Sequence, residues 1–337
     1  MKVLDRPASE RCYAVAGRFL FVKVSDDRLS RVVSKLFGGW SLEPLAFIPD
    51  ETDATIHFIL EPAPPAIPAG WSNFETAGGG RCYTNGDSYY LDFANLLILV
   101  EPAETRSITV WFKSLEGVSE MELSQATSFA VCAVLRRNNL FELHAAGVVS
   151  PETERATLII GPSGSGKSTL ALNLVLSGWN YLSDDELLLD YVAGEVQARG
   201  FRRFFAVSNT ARLASGLSGL GDYAQSEPES SRKTRFEPSA LLPVRKVAYS
   251  IPDRLLFTRV TGERESSLTE LTPIEGASKL IRASPWATYD RAVAKNYLGI
   301  LSQLARQARA FELKAGTDLL DSQTATELLW TNKASLK

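Results

Sequence analysis

The stretch Thr157 to Leu176, TLIIGPSGSGKSTLALNLVL, constrains this chain more than any other. A β-branched apolar run stops at Gly161, a glycine- and serine-rich turn follows, and a helical repeat of apolar residues starts at Lys167. Gly161, Gly166, Lys167 and Ser168 meet the pattern G-x-x-x-x-G-K-[ST], between a strand and a helix as its mechanism requires. Glycines let the backbone wrap tightly and point N–H groups at phosphate oxygens, and the helix N-terminus adds a favourable dipole. The expected phosphate contacts are Gly161, Ser163, Gly164, Ser165, Gly166, Lys167, Ser168 and Thr169. Lys167 would neutralise β/γ oxygens of ATP, and the Ser168 hydroxyl would bind Mg2+.

A phosphate loop says that a triphosphate binds, and the chemistry must come from neighbouring residues. Gly178 stops the helix, and a short strand, Trp179 to Leu182, returns beside the loop strand. Its end carries Ser183-Asp184-Asp185, the two acids standing 17 and 18 residues after Lys167. Ligands of open α/β sheets bind outside the carboxyl ends of strands, so this pair is expected to face the terminal phosphate. One carboxylate can hold Mg2+ while the other accepts the proton of an attacking hydroxyl. His144, in LHAAGVV, lies on a predicted strand leading toward the loop. Close to two carboxylates its pKa is expected to rise, and it can share or relay a proton. The other histidine, His57, has no such company and reads as structural.

The loop wording also occurs in ABC-type ATPases, which need a signature near LSGGQ and a later apolar strand ending in Asp-Glu. Leu217-Ser-Gly-Leu-Gly221 comes only 50 residues after Lys167, and no such strand follows it. Leu187-Leu-Leu-Asp190 ends only 23 residues after the loop lysine, so the ABC reading is set aside.

Along the rest of the chain, residues 1–118 read as an α+β unit. Cys12 to Val24 is strand-like, and Leu29, Val32, Val33, Leu36 and Phe37 form one helix face ended by Gly38-Gly39. Strands are predicted at 54–60, 81–84, 88–92, 95–100 and 107–113, with Asn85-Gly86 as a hairpin turn. Residues 61–70 and 77–80 read as loops. A helix over 120–138 links this unit to residues 119–337, where strands at 143–149, 156–160, 180–183, 186–190, 201–207 and 254–260 alternate with helices. Helices over 273–284, 288–308 and 322–330 and a strand at 310–314 close the domain, and 209–240 reads as a long surface excursion.

The formal net charge of −3 argues against a general nucleic-acid binder and leaves room for local basic patches. No apolar run is long enough for a membrane span, and the N-terminal residues show no signal-peptide core. Cys12, Cys82 and Cys132 are too few and too dispersed for a metal motif or a disulfide frame, so a reducing cytoplasm is the expected compartment.

HAAGV, GPSGSGKS and SDD, in that order and spacing, resemble the catalytic domain of HPr kinase/phosphorylase, and more closely the HPr-kinase-like serine kinases of bacterial peptide-tailoring clusters. The resemblance is carried by residues 140–190 and extends more loosely over 191–330, in LLFTRV, SSLTEL and FELKAGTDLL. It implies an α/β, P-loop, phosphoenolpyruvate-carboxykinase-like catalytic domain behind a smaller α+β N-terminal domain. It also implies transfer of the ATP γ-phosphoryl group to a serine hydroxyl of a small protein or peptide. By the same resemblance Asp185 is the base and Asp184 a metal ligand, with the two roles exchangeable, and Lys233, in a K-x-R-x-x-P segment, is a phosphate contact. Further basic residues, Arg199, Arg202, Arg203, Arg232 and Arg235, surround it in sequence. Pro162 and Thr169 depart from HPr kinase proper, where aspartate and glutamate are usual, and Ala198-Arg199-Gly200 matches its second signature only loosely. Phosphorolysis, HPr as substrate and assembly into a homo-oligomer therefore stay open. Two alternatives remain beside the kinase: a nucleotide-gated binding module without transfer, and a small-molecule kinase on the same fold.

Overall fold

A computed structural model describes residues 9–76, 80–208, 233–238 and 245–331. The protein is mixed α/β and divides into two compact units. The first comprises residues 1–141 with 286–297, and the second comprises 142–285 with 298–337. The helix over 120–137 thus belongs to the first unit, and a short later stretch of chain joins it there.

In the first unit, β1 (Ser9–Val15) and β2 (Arg18–Val24) replace the single expected strand over 12–24. They form an antiparallel hairpin closed by Ala16 and Gly17, whose φ values of 50° and 76° are those of a tight hairpin turn. Helix α1 (Asp27–Phe37) follows, its N-terminal N–H groups capped by the Asp26 carboxylate, which accepts from Arg28 and Leu29. Strands β3 (Glu43–Pro44), β4 (Ala54–Leu60), β5 (Ser72–Glu75), β6 (Arg81–Thr84), β7 (Tyr89–Asp92), β8 (Leu96–Val100) and β9 (Ser107–Phe112) complete a sheet. Its order is β3-β1-β2-β4-β9-β8-β7-β6-β5. The pairs β2–β4 and β4–β9 are parallel. Alternate residues of β2 and β4 (Leu20, Val22, Val24; Ala54, Ile56, Phe58) are buried, as are Leu29, Val33 and Phe37 of α1. Helix α2 (Glu120–Arg137) begins with a reciprocal capping box between Ser119 and Glu122. Cys12, Cys82 and Cys132 are buried thiols in no disulfide, as small hydrophobes would be.

The second unit is built on a six-stranded sheet ordered β13-β11-β12-β19-β21-β20. Its members are β11 (Ala145–Val149), β12 (Ala156–Ile160), β13 (Asn180–Ser183), β19 (Pro252–Val260), β20 (Ser267–Leu271) and β21 (Arg309–Ala315). Here the strand expected over 143–149 is broken. Phe141–Leu143 (β10) ends before His144 and β11 starts after it, so His144 occupies the joint between two strands. Strands β14 (Leu187–Val192) and β15 (Glu195–Gly200) pair antiparallel in a second sheet, which β10 joins beside β14. Strands β16 (Phe205–Ser208) and β17 (Lys233–Phe236) form another; β18 (Tyr249–Ser250) joins β15. The strand expected over 201–207 is shortened to β16, and β15 is a strand outside those expected from the sequence.

Helix α3 (Lys167–Leu176) packs on the six-stranded sheet, where Leu170, Ala171, Leu174 and Val175 meet Ala146, Val148, Ile159, Leu256 and Phe311 in one buried cluster. Phe205 and Phe236 join it from β16 and β17. That burial anchors α3, and with it the turn that α3 terminates. No helix among the described residues is long and apolar enough to cross a membrane.

Candidate active site

Sheet register brings the candidate residues to one edge of the second unit. Strands β12 and β13 both run antiparallel to β11, which lies between them. Their carboxyl ends therefore emerge at the edge where β11 begins. Ala145 pairs with Ile160, and Gly147 pairs with Ser183. His144, Gly161 and Asp184 are each the next residue outward. Thr258 arrives from the other side, because β19 is parallel to β12 and Phe257 pairs with Ile160.

Between β12 and α3 the chain makes the turn that its glycines permit. Gly164 and Gly166 adopt φ values of 81° and 89°, the left-handed region open to glycine. Gly161 is needed for a different reason. A Cβ there would collide with the Ser165 hydroxyl and stand 2.6 Å from the Thr258 carbonyl oxygen. Pro162, Ser163 and Gly164 form the exposed crest, whereas Ser165 and Lys167 are buried. Ser168 and Thr169 lie in the first turn of α3, half-buried. The Ser165 hydroxyl oxygen is buried with no hydrogen-bond partner.

Lys167 folds back over the turn. Its Nζ donates to the carbonyl oxygens of Gly161 (2.8 Å) and Pro162 (3.2 Å) and lies 3.1 Å from His144 Nε2. On the other side of the imidazole, His144 Nδ1 stands 3.5 Å from Asp185 Oδ1. Lysine, histidine and aspartate thus form a continuous chain of polar contacts. An ammonium can only donate, so Nε2 accepts and the ring proton belongs on Nδ1, facing the carboxylate. That neutral form agrees with the direction of the His144 pKa, which is lowered. Desolvation outweighs the nearby Asp185 carboxylate, and the Lys167 charge pushes the same way. The rise expected from two adjacent acids is thus reversed, chiefly because desolvation penalises the charged ring, with the Lys167 ammonium at the other nitrogen adding to it.

The two aspartates occupy different environments. Asp184 is wholly buried, and its Oδ2 accepts the Ala206 N–H at 2.9 Å, tying the acidic turn to β16. The Asp185 side chain is 47% exposed, and its backbone is left-handed at φ 64°. Asp and Asn tolerate that region better than bulkier residues do. Ser183, fully buried, locks the turn. Its hydroxyl donates to the Glu186 carbonyl (2.6 Å) and accepts from the N–H groups of Phe201 (3.2 Å) and Arg202 (2.9 Å). Arg202 also pairs with Glu186 at 2.8 Å. The sequence marked Ser183 only as the small residue before the acids, and nothing in its spacing announces the hydroxyl's partners.

Of the basic residues, Arg199 pairs with Asp190 at 3.0 Å and Arg202 with Glu186, which ties both to acids of their own neighbourhood. Lys233 and Arg235 lie on β17, opposite Ser208 and Ala206. The Lys233 side chain, Arg232 and the segment Leu217–Gly221 lie outside the described residues. Gly200 ends β15 against the Leu182 carbonyl, so a Cβ at that position would collide with backbone.

The turn suits a polyphosphate by its own geometry. It has a backbone cradle that a side chain at Gly161 would fill, two left-handed glycines and an orphaned buried hydroxyl on Ser165. No group of three or more His, Cys, Asp and Glu residues is arranged to hold a metal among the described residues. Mg2+ bound beside phosphates keeps several waters and needs only one or two protein oxygens. Ser168 and one acid of the 184–185 pair would supply these.

No family model matches this chain, and no curated protein matches it. Among solved structures, that of the Hpr(Ser) kinase/phosphatase from Coxiella burnetii is similar to it at 10% identity. That similarity covers 58% of this chain and 92% of the other, with a TM-score of 0.33.

Proposed function

We propose that the second unit is an ATP- and Mg2+-dependent kinase that phosphorylates a serine hydroxyl on a small protein or peptide. The observation that supports it is the line Lys167–His144–Asp185, which joins a phosphate-loop lysine to a half-exposed carboxylate through one neutral imidazole. In this reading the backbone of residues 161–169 wraps the β- and γ-phosphates, and Lys167 exchanges its contacts with the Gly161 and Pro162 carbonyls for phosphate oxygens. Bound Mg2+, held by Ser168 and an acid of the 184–185 pair, would offset charge on the phosphates. Asp185 takes the proton of the acceptor serine. As that proton leaves, the serine oxygen bonds to the γ-phosphorus and the bond from phosphorus to the bridging oxygen breaks, with ADP as the leaving group. Neutral His144 orients Asp185 through its Nδ1–H and draws Lys167 toward the same point.

The test uses ATP labelled in its γ-phosphate with an array of serine peptides and matched alanine peptides. Label should reach the serine peptides alone, and Asp185→Asn should reduce it by about 10²- to 10⁴-fold. Nucleotide binding without transfer to any peptide or protein would instead favour the gated binding module. Label on a metabolite without a protein acceptor would favour the small-molecule kinase.

A further inference from the structure

Thr258 lies in LLFTRV on β19, outside the loop, the acidic turn and the histidine. It is 4% exposed, and its side chain turns toward the turn that precedes α3. The Thr258 Oγ1 donates to the Ser165 carbonyl oxygen at 3.1 Å, and its own carbonyl oxygen closes the space beside Gly161. Two residues further on, Val260 Cγ2 stands 3.4 Å from where a Cβ on Gly166 would be. One strand therefore touches the loop at its start, near its end and at its last glycine.

Within the loop itself, the Ser165 N–H donates to the Pro162 carbonyl at 3.2 Å. The Ser165 peptide units are thus held at both sides, by the loop through N–H and by β19 through C=O. A loop that must present N–H groups in fixed directions loses its advantage if it samples other shapes when empty, since ordering it then opposes binding.

We infer that Thr258 is a positioning residue for the phosphate loop: its hydroxyl fixes the Ser165 peptide, and thereby the direction of the N–H groups that follow it, before any nucleotide arrives. The inference rests on the kinase reading only for the identity of the ligand, since the clamp is a property of the protein's own contacts. Thr258→Val keeps the shape and removes the donor, Thr258→Ser keeps the donor and removes a methyl, and Thr258→Cys offers a poor donor of similar size to serine.

Two measurements are made on the full chain. The first is backbone hydrogen exchange over peptides spanning residues 161–169 without ligand. The valine variant should exchange about tenfold faster there, the factor that corresponds to loss of one buried hydrogen bond, while the serine variant stays close to wild type. The second is the affinity for ATP and for ADP, which should fall by a similar factor in the valine variant and recover in the serine variant. If the valine variant does not fold, the cysteine variant carries both comparisons. Unchanged exchange in the loop overturns the inference. So does a loss of affinity that tracks the melting temperature equally in the serine and valine variants. A wild-type chain that binds neither nucleotide sinks the kinase reading instead, and the exchange comparison still decides the role of Thr258.

Discussion

Each unit of this protein gathers positive charge and an acid around one point, and the two gatherings are built for opposite ends. In the first unit Asp290 Oδ2 accepts from Arg137 Nη1 (2.6 Å), from Arg136 Nε (3.4 Å) and from the Tyr89 hydroxyl (3.1 Å). Both arginine side chains are 0% exposed and that of Asp290 is 1% exposed. Aromatic rings seal the cluster: the Arg136 guanidinium stands 5.1 Å from the Trp286 ring and 5.6 Å from Phe129. Burial holds the Tyr89 phenol well above its ordinary pKa despite the two guanidinium groups. In the second unit, by contrast, the His144 and Asp185 side chains are each nearly half exposed. A sealed cluster ties residues 286–297 into the first sheet's surroundings and keeps its charged side chains out of solvent. The open one presents an imidazole and a carboxylate to solvent, with the buried Lys167 ammonium behind the ring.

That contrast predicts opposite responses to losing the acid. Asp185→Asn should lower phosphoryl transfer by about 10²- to 10⁴-fold, the usual worth of a positioned base. Stability should stay within about 0.5 kcal/mol, because the side chain is half exposed and asparagine also accepts the left-handed backbone. Urea unfolding beside the peptide assay reads both, and full transfer in this variant would remove Asp185 as the base. Asp290→Ala should do the reverse, destabilising by about 3–5 kcal/mol because it strands buried guanidinium groups. Transfer lost at a temperature where the variant is still folded would show that the sealed cluster does more than hold the first unit together.

Gly161→Ala should produce a smaller effect that combines both kinds. The new methyl meets the Ser165 hydroxyl and the Thr258 carbonyl, neither of which is a flexible chain end, so the loop must shift at a cost of about 1–3 kcal/mol. Nucleotide affinity should fall with it. Gly164→Ala has open space around its Cβ and meets only the left-handed backbone penalty, about 1 kcal/mol, which provides the internal control. Equal losses at the two positions in unfolding and nucleotide titrations would show that crowding against β19 is irrelevant.

How legible this was in the sequence differs by kind of interaction. Strands β4, β6, β8, β9 and β12 and helix α3 were readable because their apolar periodicity and their glycine stops are local. The hairpin at Ala16-Gly17 was not, since an alanine with positive φ carries no turn signature and its neighbours on both sides favour strands. The break at His144 and the left-handed Asp185 likewise depend on what the flanking strands pair with. Asp184 and Asp185 were indistinguishable as adjacent letters; partners distant in sequence separate them, the Ala206 N–H, 22 residues downstream, for Asp184 and the His144 ring for Asp185. Thr258 and Ser183 were invisible for the same reason: a hydroxyl's partners are set by tertiary register, which period-two alternation does not encode. Asp290 had no signal at all, because its partners Arg136 and Arg137 lie more than 150 positions away along the chain.

The smallest predicted effect turns on His144 and on pH. Its pKa lies below the ordinary 6.5 because desolvation and the Lys167 charge favour the neutral ring. A group whose folded pKa is lowered binds fewer protons in the native state than in the unfolded one. The native state is therefore at its full stability above about pH 6.5 and weakens as pH falls through that value toward the lowered pKa, where the dependence ends. Transfer should follow the ring's own titration, since a protonated Nε2 can no longer accept from the Lys167 ammonium and repels it. A decline of several-fold is expected on the acid side, and His144→Gln, neutral throughout, should flatten it while leaving the response at higher pH intact. NMR titration assigns the pKa directly: His57, whose pKa is also lowered, chiefly by burial, is the one other histidine, and His57→Gln leaves a single ring signal. A pKa for that signal above 6.5 would mean that the ring answers to Asp185 rather than to Lys167. The imidazole would then be a charged partner of the base, and the neutral bridge between lysine and aspartate would be lost as the feature that distinguishes this open cluster from the sealed one.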